Sequence, residues 1–179
     1  MPHGLDAVPG GDRWFGSVDL RGAPDAALSV IHELVRMLDE TQPQLLDQRR
    51  SHVRSSGDRT VEIELAHQTE SDCDVSVAVD SDQAVVSWLS AHEHVDESDA
   101  VAGRPWTTVV VDVVHSVLRG EYEVENHYWR KRLLRTKIID TGDPAGPRVM
   151  EEQGPLLALL PWPRVTHVAR RRVDFGLRD

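Results

Sequence analysis

The chain has 179 residues, of which 40% are hydrophobic and one is a cysteine, and its formal net charge is −10. This length fits one domain over residues 1–179, and the composition excludes a disordered chain, an internal disulfide and a zinc site built from several cysteines. No apolar run approaches the about 20 residues that span a bilayer, and the N-terminus lacks a secretory signal, so we expect a bacterial cytoplasmic protein without a membrane partner.

The first half of the chain predicts a helix followed by a three-stranded meander. Residues 1–23 are expected to be partly irregular, with a short strand over 14–20. Pro24 then opens a helix whose apolar residues recur at helical spacing until Pro43. After the polar stretch 47–58, segments 60–67 and 72–80 alternate apolar and polar side chains, and segment 83–91 is apolar on both faces. Short turns join the three segments, which predicts an antiparallel meander.

The second half predicts another helix, a hairpin and an extended tail. Residues 104–120 carry an apolar stripe at helical spacing between a proline and a glycine. Residues 121–139 pair as a hairpin, 155–163 form an apolar run broken by prolines, and 168–176 form a C-terminal strand. The predicted fold class is therefore α+β, in which the meander, the hairpin and the C-terminal strand make an antiparallel sheet with two helices packed on one face.

The hairpin predicts a self-neutralising pair of strands with a basic tip. A three-residue loop places Glu125 opposite Arg135 and Glu123 opposite Lys137, and each such pair contributes ~0.2–1 kcal/mol. The basic residues that remain lie beside an aromatic ring at the tip, which we predict to be a binding surface made of Trp129, Arg130, Lys131 and Arg132. Three tip charges are too few for nucleic acid, so a protein carboxylate patch or a homodimer contact is the expected partner.

Two histidines one residue apart, His92 and His94, are the candidate metal ligands. In an extended segment both imidazoles project to one side, where Asp96 and other acids can add oxygen ligands. No third strong ligand is fixed by the spacing, and further candidates lie far along the chain at His115 and His127. The alternative interpretation is a polar loop after a strand, with no metal or other cofactor.

Residues 140–142 read Asp-Thr-Gly after an apolar strand. This triplet resembles the active site of aspartic proteases, particularly the single-domain retroviral type that works as a dimer. The resemblance implies a catalytic Asp140 that shares one proton with its copy across the dimer interface. It covers three residues only, and Asp143 stands where these proteases have a small residue. A plain turn is the alternative interpretation.

The charge distribution favours a binding protein over an enzyme. Residues 1–103 have a net charge of −13 and residues 104–179 have +3, which gives a dipolar molecule whose acidic half attracts a basic partner. We therefore expect a non-catalytic protein-binding module, similar to a chaperone, an immunity protein or an adaptor, that acts through an acidic sheet face and the hairpin tip. The alternative is a small hydrolase that uses His92 and His94 with a metal, or Asp140 in a dimer.

The order of the predicted elements is similar to that of type III secretion chaperones and of a related family of small bacterial stress-response proteins. In this chain a basic strand replaces the last helix of those proteins. The similarity is one of order alone and is accompanied by no shared motif.

Overall fold

Three helices and two antiparallel sheets make up the fold that the computed structural model describes over residues 11–16, 20–56, 59–101, 103–153 and 165–177. The helices are α1 (Gly11–Phe15), α2 (Asp25–Thr41) and α3 (Trp106–Leu118). The strands of the first sheet are β1 (His52–Ser56), β2 (Thr60–Leu65), β3 (Val75–Val79), β4 (Gln83–Trp88) and β5 (Ala91–Asp96). The strands of the second sheet are β6 (Tyr122–Trp129), β7 (Arg132–Asp140), β8 (Arg148–Gln153) and β9 (His167–Arg172).

The first sheet is a five-stranded meander in chain order, so the predicted three-stranded meander is confirmed as β2, β3 and β4 and is longer by one strand at each side. Alternate residues of each strand are buried, as the period of a half-buried strand requires. α3 packs against β4 and β5, and α2 packs against α3. One face of the sheet is thus covered by helices, and the other is open as far as the described residues go.

The two added strands lie in segments that the sequence presents as polar. β1 contains one buried apolar residue, Val53, and β5 has Glu93 between its buried Ala91 and Val95. The interpretation of His92 and His94 as part of a loop is therefore wrong. Backbone pairing with β4 over six residues, rather than an apolar pattern, holds this segment in the sheet.

The strand predicted over 14–20 is also wrong where the structure describes it, because Gly11–Phe15 is a short helix. Trp14 and Phe15 are both buried, and neighbouring residues of a strand would point to opposite sides. The Trp14 indole Nε1 donates a 2.8 Å hydrogen bond to Asp39 on α2, which fixes the helix against the rest of the fold.

Both long helices are confirmed. α2 begins directly after Pro24 and ends before Gln42, which adopts a left-handed conformation at φ 42°. α3 forms despite the strand preference of its valines, because its stripe of valines packs into the core. Gly120 ends it at φ 69°, where a Cβ atom would lie 2.9 Å from the Val173 carbonyl oxygen, so this close approach requires glycine.

The second sheet has the order β8-β7-β6-β9 and contains the predicted hairpin as β6 and β7. The α+β class with antiparallel strands is confirmed, but the hairpin does not extend the meander. Its first strand, β6, is hydrogen-bonded on both sides, to β7 and to β9, and so has no edge left for the first sheet.

The predicted register of the hairpin is wrong by two residues. Glu125 lies opposite Lys137 instead of Arg135, and Glu123 lies opposite Ile139 instead of Lys137. A turn of two residues replaces the expected loop of three, since Trp129 pairs with Arg132, and a bulge follows between His127 and Tyr128. Each irregularity shifts the pairing by one residue, so the side chains remain on their predicted faces.

Both glutamates of β6 form ion pairs with β9, which lies on the other side of β6 from β7. Arg170 Nη2 lies 2.6 Å from a Glu125 carboxylate oxygen, and Arg170 Nε lies 3.6 Å from Glu123. The C-terminal strand is thus confirmed, and its Arg170 brings a positive charge to both glutamates of β6.

Among the described residues, a shared cluster of buried side chains joins the two sheets and the helices. It contains Val124 and Ile138 of the hairpin together with the apolar faces of α2, α3 and the first sheet. Phe175, which follows β9, is fully buried, and its ring meets His67 edge-on with centroids 5.0 Å apart. The apolar run 155–163 lies outside the described residues. No helix among the described residues has the length and apolar character to cross a membrane.

Candidate functional site

The open face of the five-stranded sheet carries a cleft of about 340 Å³. Its floor lies on β3 and β4, where Ser76 pairs with Ser87 and Ala78 pairs with Val85. These side chains are small, and Ser76 is exposed. The volume lies at the lower end of the about 300–1,000 Å³ that small-molecule pockets occupy, so the cleft has room for a small ligand or for a few side chains of a partner.

The wall of the cleft on the side of β1 and β2 consists of ion pairs. Arg54 contacts one oxygen of Glu62 through Nε at 2.6 Å, and His52 Nε2 lies 3.9 Å from Glu64. The hydrogen bond from Arg54 holds the pKa of Glu62 below its ordinary value. Because β1 places a basic side chain beside each of the two glutamates of β2, this part of the face is polar and carries charges of both signs.

β5 borders the floor on the opposite side and presents two histidines to the same open face. His92 pairs with Ser87 and His94 pairs with Val85, both of which belong to the floor. Both imidazoles are exposed, and their ring centroids lie 5.3 Å apart. Three strand spacings separate β2 from β5, which is roughly 14 Å. We call this part of the open face, which runs from the ionic wall across β3 and β4 to the imidazole wall formed by His92 and His94, the trough.

The hairpin tip lies where the sequence predicts it, between β6 and β7. Arg130, Lys131 and Arg132 are exposed, and the Arg130 guanidinium lies over the Trp129 ring at 5.2 Å. The backbone N–H of Arg130 donates to Thr166 Oγ1 at 2.8 Å, so the segment before β9 supports the tip. The tip is thus a supported basic surface with one aromatic ring.

His127 is held in a buried polar chain rather than presented to a ligand. Its Nε2 lies 2.5 Å from Glu125, and its Nδ1 lies 3.4 Å from Arg135 Nη2. A guanidinium only donates, so Nδ1 accepts and Nε2 carries the proton that is shared with Glu125. Although burial opposes it, hydrogen bonds from His127 and Arg170 hold the pKa of Glu125 below its ordinary value. With both ring nitrogens engaged, His127 is placed as a structural residue.

Cys73 belongs to a second polar cluster that includes Glu70 and Asp72. The potential ligand atoms of these three residues lie within 4.8 Å of one another, which among the described residues makes them a candidate metal group. Arg171 of β9 already contacts all three side chains and supplies the positive charge. Burial and the nearby Glu70 raise the pKa of the Cys73 thiol to about 11, so the thiolate that binds metals is suppressed. This cluster joins the two sheets.

Asp140 lies at the end of β7 and is half-buried. Its Oδ1 accepts a 2.9 Å hydrogen bond from the Gly142 N–H, which is the geometry of a turn stabilised by an aspartate. Thr141 is bound through its backbone N–H and its hydroxyl to the Glu121 carbonyl. A catalytic role in a dimer remains a prediction.

The five groups proposed as metal or catalytic candidates are dispersed over the fold. His92 and His94 lie on β5, His115 on α3, His127 on β6 and Asp140 at the end of β7. Within the described residues, none of them belongs to a set of three potential ligands that meet. Of these candidates, the structure brings His92 and His94 together as a pair.

Sequence reasoning missed the ionic wall of the cleft and the partly buried Glu93. The signal for the wall was the alternation of His52, Val53 and Arg54, which is too short to recognise without knowing its partner strand. Glu93 lies on the helix-facing side of β5, where burial, together with Glu151 and Asp99, raises the pKa of its carboxyl. Burial and the nearby Glu93 also raise the pKa of Tyr122 to about 12.

Comparison with known proteins gives no further assignment. No protein-family model matches the chain, and neither the curated proteins nor the solved structures contain a significant match.

Proposed function

We propose that this protein is a non-catalytic binding module that holds a polypeptide segment of a partner protein in the trough on the open face of its five-stranded sheet. The observation that carries the proposal is the cleft of about 340 Å³ over the small side chains of β3 and β4. A trough roughly 14 Å wide between wall strands accommodates one extended strand or one helix, whose diameter is about 10–12 Å.

The walls of the trough suit a partner segment that carries both hydrogen-bonding and charged groups. Arg54 and Glu62 form an ion pair with each other in the free protein. A docked side chain of either charge can therefore interact with the oppositely charged member of this pair. On the other wall, His92 and His94 offer exposed rings that can stack or accept hydrogen bonds. The basic hairpin tip, Trp129 to Arg132, provides a second contact for acidic groups of the partner.

A binding role is supported further by the burial and hydrogen bonding of the residues that could act in catalysis. The Cys73 thiol is buried beside a carboxylate, His127 has both ring nitrogens engaged, and Asp140 accepts a bond from its own turn. A nucleophile and a free base within hydrogen-bond reach of each other are the signature of covalent catalysis. These three residues do not provide that pair.

A tryptophan placed on the floor tests the trough. Ser76→Trp fills the cleft, and Ser81→Trp puts the same side chain on the exposed turn between β3 and β4 as a matched control. We expect tagged wild-type protein and Ser81→Trp to capture the same partner from cells that express the gene, and Ser76→Trp to lose most of that capture. Quantitative mass spectrometry of the eluates measures the ratio.

Photo-crosslinking identifies the surface directly. A photoreactive amino acid at position 76 should attach to the captured partner, and the same amino acid at position 81 should not. Equal capture by both tryptophan variants, together with no crosslink from position 76, would contradict the proposal. Circular dichroism of both variants shows whether the sheet is intact.

A further inference from the structure

We propose that His92 and His94 form a chelating site for a divalent transition metal ion on the open face of β5. The site does not depend on the partner-binding role. Residues two apart on a strand project to the same side, and pairing of β5 with β4 over Gln83 to Trp88 holds the backbone extended. Both imidazoles are exposed, so an ion in solution has access to them.

The distance between the rings fits a shared ion. The two ring centroids are 5.3 Å apart, with an angle of 80° between the ring planes. In a tetrahedral zinc site each imidazole nitrogen lies about 2.0–2.1 Å from the metal, which places the centres of two bound rings about 5 Å apart. The torsion that turns a histidine ring has broad minima, so two exposed rings can direct one nitrogen each to a common point.

The surroundings define the class of ion. Imidazole nitrogens suit zinc, copper and nickel, whereas magnesium and calcium require oxygen ligands. Asp96, two residues further on the same face, accepts hydrogen bonds from the N–H and hydroxyl of Ser98 and adds a negative charge beside the pair. With two protein ligands, the remaining coordination positions are open to water or to a side chain of another molecule.

Metal titration of the untagged, metal-stripped full chain tests the site. Isothermal calorimetry with nickel or zinc should give one site per chain for the wild type. His92→Ala and His94→Ala should each weaken the affinity about 10-fold or more, because each removes half of the protein ligands. His32→Ala, an exposed histidine on α2, is the matched control and should bind as the wild type does.

Two further measurements test which residues bind the ion and which class of ion they bind. Nuclear magnetic resonance should show the imidazole signals of His92 and His94 shifting before those of other histidines, and magnesium should leave them unchanged. Equal affinity in the wild type and both β5 variants, or a response to magnesium as strong as that to nickel, would overturn the site. The Ser76→Trp capture experiment is independent of either result, so the two proposals fail separately.

Discussion

Among the individual residues, Cys73 has a thiol whose reactivity is set by its burial and by the charged groups beside it. Its side chain is 4% exposed, its Sγ lies 3.4 Å from a Glu70 carboxylate oxygen, and Arg171 Nη2 lies 3.5 Å from it. Burial and the carboxylate both disfavour the thiolate and outweigh the guanidinium. Alternation of apolar and polar residues over 72–80 also predicts a buried side chain at this position, and the structure confirms the burial.

The Cys73 thiol should therefore react slowly with disulfide reagents. A pKa of about 11, compared with 9.0 for the free group, reduces the thiolate fraction near pH 8 by about 100-fold. Absorbance of the released thiolate from a reagent such as DTNB measures the rate. The same protein in guanidinium chloride is the control and should react at the rate of a free cysteine. Reaction of the folded protein at that unfolded rate would contradict the burial of this group.

At the scale of the element, the pair formed by Glu125 and Arg170 holds β6 to β9. The Glu125 side chain is 9% exposed and that of Arg170 is 63% exposed, so water screens one partner. We expect Glu125→Gln to lower the free energy of unfolding by about 1–2 kcal/mol at neutral pH, as for a hydrogen bond to a charged group. Glu40→Gln, exposed at the end of α2, is the control and should have an effect within about 0.5 kcal/mol.

The same pair makes a specific prediction about pH. The pKa of Glu125 is lower in the folded protein than its ordinary value of 4.5, so its contribution to stability is complete above that value and is lost as the pH falls below it. Urea unfolding at pH values from about 7 to about 3 should therefore show the difference between wild type and Glu125→Gln becoming smaller toward acid. A difference that stays constant over this range would show that the carboxylate charge is not involved.

The sequence predicted elements better than it predicted their pairing. α2, α3 and β2 to β4 follow from apolar periodicity and from turn residues, which are local signals. β1 and β5 carry too little apolar periodicity, since only their neighbours in the sheet make them strands. The register of the hairpin depends on a bulge beside His127, for which the sequence has no local signal.

The candidate site was only partly predictable for the same reason. His92 and His94 were recognised from their spacing, but the cleft beside them requires residues from four strands. Its ionic wall joins β1 to β2, and the partner of Glu125 comes from β9, 45 residues along the chain. Contacts between distant segments depend on the order of strands in the sheets. The pattern of residues within one segment carries no information about that order.

At the scale of the whole molecule, a polar network connects the two sheets. Asn126 Oδ1 accepts hydrogen bonds from Thr136 at 2.7 Å and from Ser90 at 3.0 Å, and Ser90 lies in the turn between β4 and β5. Arg171 makes a second connection by contacting the turn that precedes β3. The two sheets are therefore joined by polar contacts as well as by the shared apolar core.

Removing this network should destabilise both sheets together. Asn126→Ala leaves the buried Thr136 hydroxyl without its acceptor, which costs about 1–3 kcal/mol. Because the core is shared, we expect one unfolding transition in which far-ultraviolet circular dichroism and tryptophan fluorescence coincide. Thr136→Val, which removes the donor and leaves Asn126 bonded to Ser90, is the milder control. Separate transitions in Asn126→Ala would indicate that the sheets unfold independently.

The placement of β9 next to β6 also determines when the second sheet can be completed during synthesis. Glu125 leaves the ribosome 45 residues before Arg170 does, and at about 5–20 residues per second the delay is several seconds. The hairpin of β6 and β7 can form once Asp140 has emerged, and until β9 follows, β6 has one open edge and Glu125 lacks the Arg170 guanidinium. Translation speed through residues 141–170 therefore sets how long this edge is available to other nascent chains or to chaperones.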